Sequence, residues 1–135
     1  MKNSHIQVKT YQGNKQPNAV YVLSRGLNSG KPLDVPCPNC YQILTPDPRQ
    51  AKAVARILFE SGNLRPHLHG SVIEFVRIDV YRSQFTQLWE TLDAERISAV
   101  TAKLDAIDKY LANLTDQFKK IKQLRHYLAI SAIEP

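Results

Sequence analysis

The sequence predicts an α+β protein: a small mixed β/helix body over residues 1–92, followed by one long coiled-coil helix over residues 93–135. Three observations predict it. Short runs of alternating polar and apolar residues occupy the first half, one run with a helical period interrupts them, and the last third holds an apolar heptad with no Gly or Pro from Asp93 to Ile130.

His5–Tyr11 and Asn18–Ser24 alternate around Val, Ile and Tyr, as half-buried strands do, and the QGNKQP between them is turn chemistry that suggests a hairpin. Tyr41–Thr45 reads as a third short strand. In PDPRQAKAVARILFESGN the period changes: Ala51, Val54, Ala55, Leu58 and Phe59 share one helical face. Asp47 is a fair N-cap, Pro48 suits the first helical position and Gly62 a stop. Ser71–Tyr81 returns to a strand pattern, and YRSQFTQLWETL begins a helix with Phe85, Leu88 and Trp89 on one side.

The final segment carries Ile97, Val100, Leu104, Ile107, Leu111, Leu114, Phe118, Ile121 and Leu128 at alternating steps of three and four, with Arg125 standing at one a position. At 1.5 Å per residue that seam is about 47 Å long. Acidic residues lead the helix and basic ones close it, as its dipole prefers. Exposed to water the stripe is unfavourable, so a second copy, another protein, or a fold-back onto Phe85–Trp89 must cover it. The expected partner is the chain itself. Arg125 at an a position would stack on its own copy in a parallel pair, which favours an antiparallel homodimer with each arginine near Asp93 and Glu95 of the other helix.

Charge is uneven. Residues 1–92 hold 11 Lys and Arg against 6 Asp and Glu, and residues 93–135 hold 7 against 6. A basic body attracts polyanions through counterion release, which points to duplex DNA. The turn RGLNSGKPL resembles a phosphate loop, but a Walker A loop has four residues between its glycines and Ser or Thr after the lysine. Here Gly26 and Gly30 have only three residues between them and Pro32 follows Lys31, so the turn is no nucleotide site. What remains is a tight turn whose amides, with Arg25, Asn28, Ser29 and Lys31, suit a DNA phosphate. Arg65, Arg77 and Arg82 complete the candidate DNA contacts if they line the same face.

Cys37 and Cys40 in PCPNC supply two thiolates, and a structural zinc needs four ligands. His67 and His69 are the only candidates to complete a set, and their spacing is tighter than that of a zinc finger. The favoured reading is a reduced, metal-free turn. No nucleophile–base pair or carboxylate dyad emerges, so the expectation is a non-enzyme without a cofactor. No run approaches the roughly 20 apolar residues of a membrane span. The opening MKNSHIQVKTYQGNKQ lacks the apolar stretch of a signal peptide, so the expected compartment is the cytoplasm.

Residues 55–130, above all ERISAVTAKLDAIDKYL and KKIKQLRHYL, resemble the end of a target-recognition domain and the spacer helix of specificity subunits in type I restriction–modification enzymes. That resemblance implies a helix, a loop and a closing strand, then a spacer that pairs antiparallel. It further implies a DNA-reading body and methyltransferase or other restriction-system subunits as partners. The chain departs from that family in lacking the proline-rich joint before the spacer and in having a short body. RGLNSGKPL, PCPNCY and GSVIEFVRI also look like a family of short uncharacterised proteins carried on mobile elements. A second class of function stays open: an adaptor or modulator that acts through its coiled coil without touching DNA.

Overall fold

The computed structural model describes residues 5–135. Four strands form one antiparallel sheet: β1 (Gln7–Thr10), β2 (Ala19–Leu23), β3 (Pro32–Leu33) and β4 (Cys40–Leu44), in the order β1-β4-β2-β3. Three helices follow, α1 (Pro48–Glu60), α2 (Ile78–Thr91) and α3 (Ala94–Ser131), with a single 3₁₀ turn at Arg65–His67. The class is α+β with a long C-terminal helix. Residues up to Ser98 make one compact unit and Ala99–Pro135 a second.

The suggested hairpin between the first two strands does not form. β4 lies between β1 and β2 and is antiparallel to both, so Ile43 pairs with Val8 on one side and Val20 on the other. Strands that share an antiparallel neighbour run parallel to each other, and the segment between them must cross over instead of turning back. Its ends are pinned against the sheet: the rings of Tyr11 and Tyr21 meet edge to face at 5.4 Å, and the Gln16 amide donates to the Tyr21 hydroxyl at 2.9 Å.

Val8, Val20, Val22 and Ile43 on the sheet pack with Ala51, Val54, Ala55 and Leu58 of α1 into one buried cluster. Helix α1 starts as its sequence predicts: the Asp47 carboxylate accepts from the Gln50 amide at 3.1 Å, with Pro48 in the first turn. It closes at Ser61, whose hydroxyl donates to the Leu58 carbonyl, before Gly62 at φ +77°.

The strand expected at Ser71–Tyr81 is replaced by a loop and the start of α2. Only Phe75 keeps β character, through isolated bridges to Arg25 and His69. The reason lies further along the chain. Tyr81, Phe85 and Trp89 recur every four residues, stack at 6.1 and 6.0 Å and are all buried, and a helix is what brings them onto one face. The apparent alternation of Val76, Ile78 and Val80 lost to that helical stripe. Two long-range bonds fasten the region: the Tyr41 hydroxyl donates to the Val76 carbonyl at 2.6 Å, and Arg82 Nη2 donates to the Val8 carbonyl at 2.8 Å. Full burial pushes the Tyr81 phenol far above its ordinary pKa, so it stays protonated.

Among the described residues no helix is long and apolar enough to cross a membrane.

Candidate interaction surfaces

Asp93 stands just before helix α3, and its carboxylate accepts from the Arg96 amide at 2.7 Å. The helix runs to Ser131 through Asn113–Thr115 without a break. The heptad positions do not share one environment along it. Ile97, the first, is 4% exposed and belongs to the core cluster with Phe85 and Trp89. It is therefore removed from the candidate oligomerisation residues. Val100 and Leu104 are half-buried, and from Ile107 onward every heptad residue is exposed. Phe118 is 61% and Ile121 65% exposed. Tyr110 and Leu124, at g positions, widen the stripe beyond a two-residue seam. The polar side chains near it support the helix locally: Lys120 bridges Asp116 at 3.0 Å, and the Lys122 ammonium lies 4.6 Å from the centre of the Phe118 ring.

The second surface lies where the loop after β2 meets the segment before α2. Arg25 bridges Phe75, the Gly26 amide donates to the Glu74 carbonyl, and the Val76 amide donates to the Ser24 carbonyl. Leu27 and Ser29 share a cleft with Leu64 and Arg65. Arg25, Asn28 and Lys31 lie on the loop after β2, Arg65 lines the cleft beside Leu27, and Arg77 follows the segment bonded to that loop; all five are exposed. Arg82 does not join them, because its guanidinium is tied to the edge strand β1. Arg77 partly answers Asp79, at 3.4 Å.

The expectation that the amides of this turn are open to a DNA phosphate is corrected here. The amides of Gly26, Ser29, Gly30 and Lys31 donate to carbonyls of Glu74, Gly26, Leu23 and Asn28. Ser29 is buried and its hydroxyl donates to the Gly26 carbonyl at 2.6 Å. These amides cradle their own chain, and Ser29 is a turn residue. Gly30 is required there: its φ is +92°, and a Cβ at that position would collide with the Leu64 side chain.

What composition and charge did not flag is the apolar rim of this basic cluster. Leu27 is 74% and Val72 93% exposed, with Ile73 beside it. The signal was present as three large apolar residues in turn-rich segments, but strand alternation accounted for Val72 and Ile73 until the structure removed the strand.

Cys40 lies buried in β4, and burial pushes its thiol pKa up, partly offset by a hydrogen bond from the Cys37 backbone. Both cysteines are free thiols. His67 is in the 3₁₀ turn and His69 packs on Phe75, with ring centroids 6.0 Å apart. Among the described residues no three His, Cys, Asp or Glu side chains gather in a way that could hold a metal. The four-ligand set Cys37, Cys40, His67 and His69 is accordingly not assembled. An open groove of about 540 Å³, lined in part by Lys15, Tyr21, Arg49 and Lys52, runs along β2 and the start of α1, and Lys52 bridges Asp34 across it at 2.7 Å.

The fold and its surfaces define a class: a small antiparallel α+β body joined to a long helix with an uncovered apolar stripe. The chain belongs to DUF6943, a family of unknown function, whose sequence profile covers residues 8–131. No curated protein and no solved structure matches it.

Proposed function

We propose that this protein acts by binding and not by catalysis: two copies pair through α3, and the basic loop cluster of each body contacts duplex DNA. The uncovered stripe of α3 is the observation that carries the reading. Burying one Leu or Ile is worth about 1.5–3 kcal/mol, so a few such layers exceed the cost of association, put at about 4–15 kcal/mol. Support for the DNA half comes from the exposure of Arg25, Asn28, Lys31, Arg65 and Arg77 on the loop after β2 and on the segments next to it. Cationic side chains on neighbouring loops suit the phosphate backbone of a duplex. The resemblance to type I specificity subunits now rests on the spacer-like helix alone, since the closing strand it implied is a loop and α2. Docking of methyltransferase subunits belongs to that part of the reading. The exposed Leu27, Val72 and Ile73 favour a second reading, an adaptor whose body and helix both meet proteins.

Fluorescence anisotropy with duplex DNA across a salt series separates the two. The DNA reading expects affinity to fall linearly with log salt, and Arg25→Glu with Arg65→Glu to weaken binding and lower the slope by about 2. Absence of binding at about 50 mM salt overturns it and leaves the adaptor.

A further inference from the structure

The burial pattern of α3 restricts how a second copy can lie on it. Ile97 is inside the core, so no register that pairs it with a partner is open. That removes the arrangement with Arg125 near Asp93 and Glu95, since it would bring Ile121 against Ile97. In an antiparallel pair, a positions face d positions, e faces e and g faces g. One register uses the half-buried Leu104 and every exposed apolar heptad position from Ile107 to Leu128, and leaves out the buried Ile97. Leu114 then faces the partner's Phe118, Leu111 faces the partner's Ile121, and Leu104 faces the partner's Leu128.

This register also settles the charges. Asp108 falls opposite the partner's Lys122 at the e positions, twice by symmetry. Arg125 lies over the partner's Ile107, next to that helix's Asp108. The register shifted by one heptad toward the N-terminus places Lys122 opposite Thr101 and Leu128 opposite Ile97. A parallel pair gains Lys103 against Asp108 but stacks Arg125 on Arg125 and brings two basic bodies to the same end. Charge complementarity and burial thus select one solution. Resting on the proposed pairing, we infer that the partner on α3 is a second copy of this chain, antiparallel, with the two-fold axis near Asp116 and Asp108–Lys122 contacts on either side of it.

Zero-length carbodiimide cross-linking of the full chain, mixed from ¹⁴N and ¹⁵N protein, tests the register directly. Asp108 and Lys122 are 14 residues apart in sequence, about 21 Å along one helix, so a direct link between them can form only between copies. A mixed-isotope Asp108–Lys122 peptide is the expected product. By sedimentation, Asp108→Lys or Lys122→Asp alone should weaken the dimer about tenfold, and the double variant should restore it. A dimer that lacks this link and is not restored by the double variant overturns the register while leaving the pairing intact. A monomeric unmodified chain at about 100 μM overturns both and assigns the stripe to another protein.

Discussion

Helices α2 and α3 carry the same kind of side chains at the same kind of spacing, and the chain treats them in opposite ways. In α2 the aromatic ladder Tyr81, Phe85 and Trp89 is buried in the core of the body. In α3 the ladder of Leu111, Phe118 and Ile121 stands in water. An apolar helical face is thus a demand for a cover, and the difference between the two lies in supply. The sheet and α1 provide buried surface for one helix stripe. The core cluster takes in Ile97 of α3, and from Ile107 onward the heptad residues are exposed.

The strongest way to break this comparison is to truncate the ladder on each side. Phe85→Ala should cost about 3–5 kcal/mol of body stability, because it opens a cavity in a fully buried stack. Urea unfolding followed by tryptophan fluorescence reads it through Trp89. Phe118→Ala should leave that midpoint unmoved, and an equal loss would mean that the α3 stripe is structural to the body. Next in size is Leu111→Asp. It should dissociate the dimer by more than a hundredfold in Kd, since a charge replaces two copies of a Leu–Ile layer worth about 1.5–3 kcal/mol each. The body fold should survive, with unchanged near-ultraviolet dichroism. Unfolding of the body would show that the two regions are not separable.

Smaller effects sharpen the comparison at the capping level. Asp47→Ala should destabilise the body by about 1 kcal/mol through loss of the α1 cap, measured by thermal unfolding. The smallest effect is expected at Asp34. The Lys52 ammonium holds its carboxyl below the ordinary carboxylate value through a hydrogen bond and charge attraction. A lowered folded-state pKa stabilises above the ordinary value, and that contribution fades as pH falls through the lowered one. Both side chains are exposed, so Asp34→Asn should leave the melting temperature unchanged at neutral pH. A clear drop would reveal a buried role for the groove they span.

Periodicity, capping and composition made α1 and α3 legible, along with the three longer strands and the heptad. Asp47–Pro48 and the Gly- and Pro-free run after Asp93 are local signals that act through the backbone whatever surrounds them. Of the candidate surfaces, the stripe from Ile107 to Leu128 was readable and the loop cluster only in part: Arg25, Lys31, Arg65 and Arg77 are exposed, whereas Arg82 is tied to Val8 and Ser29 turns inward. No sequence rule reports which of two arginines will meet a backbone carbonyl across 74 residues.

Tertiary structure alone decided the rest, and for one physical reason: burial is shared between segments distant in sequence. It inserted β4 between β1 and β2, because Ile43 satisfies Val8 and Val20 together. It turned the alternating run before Tyr81 into loop and helix, because a helix brings Tyr81, Phe85 and Trp89 onto one buried face. It drew Ile97 out of the heptad and into the core, which no local pattern distinguishes from the exposed positions that follow it. Local chemistry in the sequence determined which segments are helices and strands and that one helix carries an apolar stripe. Only the packed body, by taking Ile97 into its core, decided that the apolar stripe does not serve one purpose along its whole length.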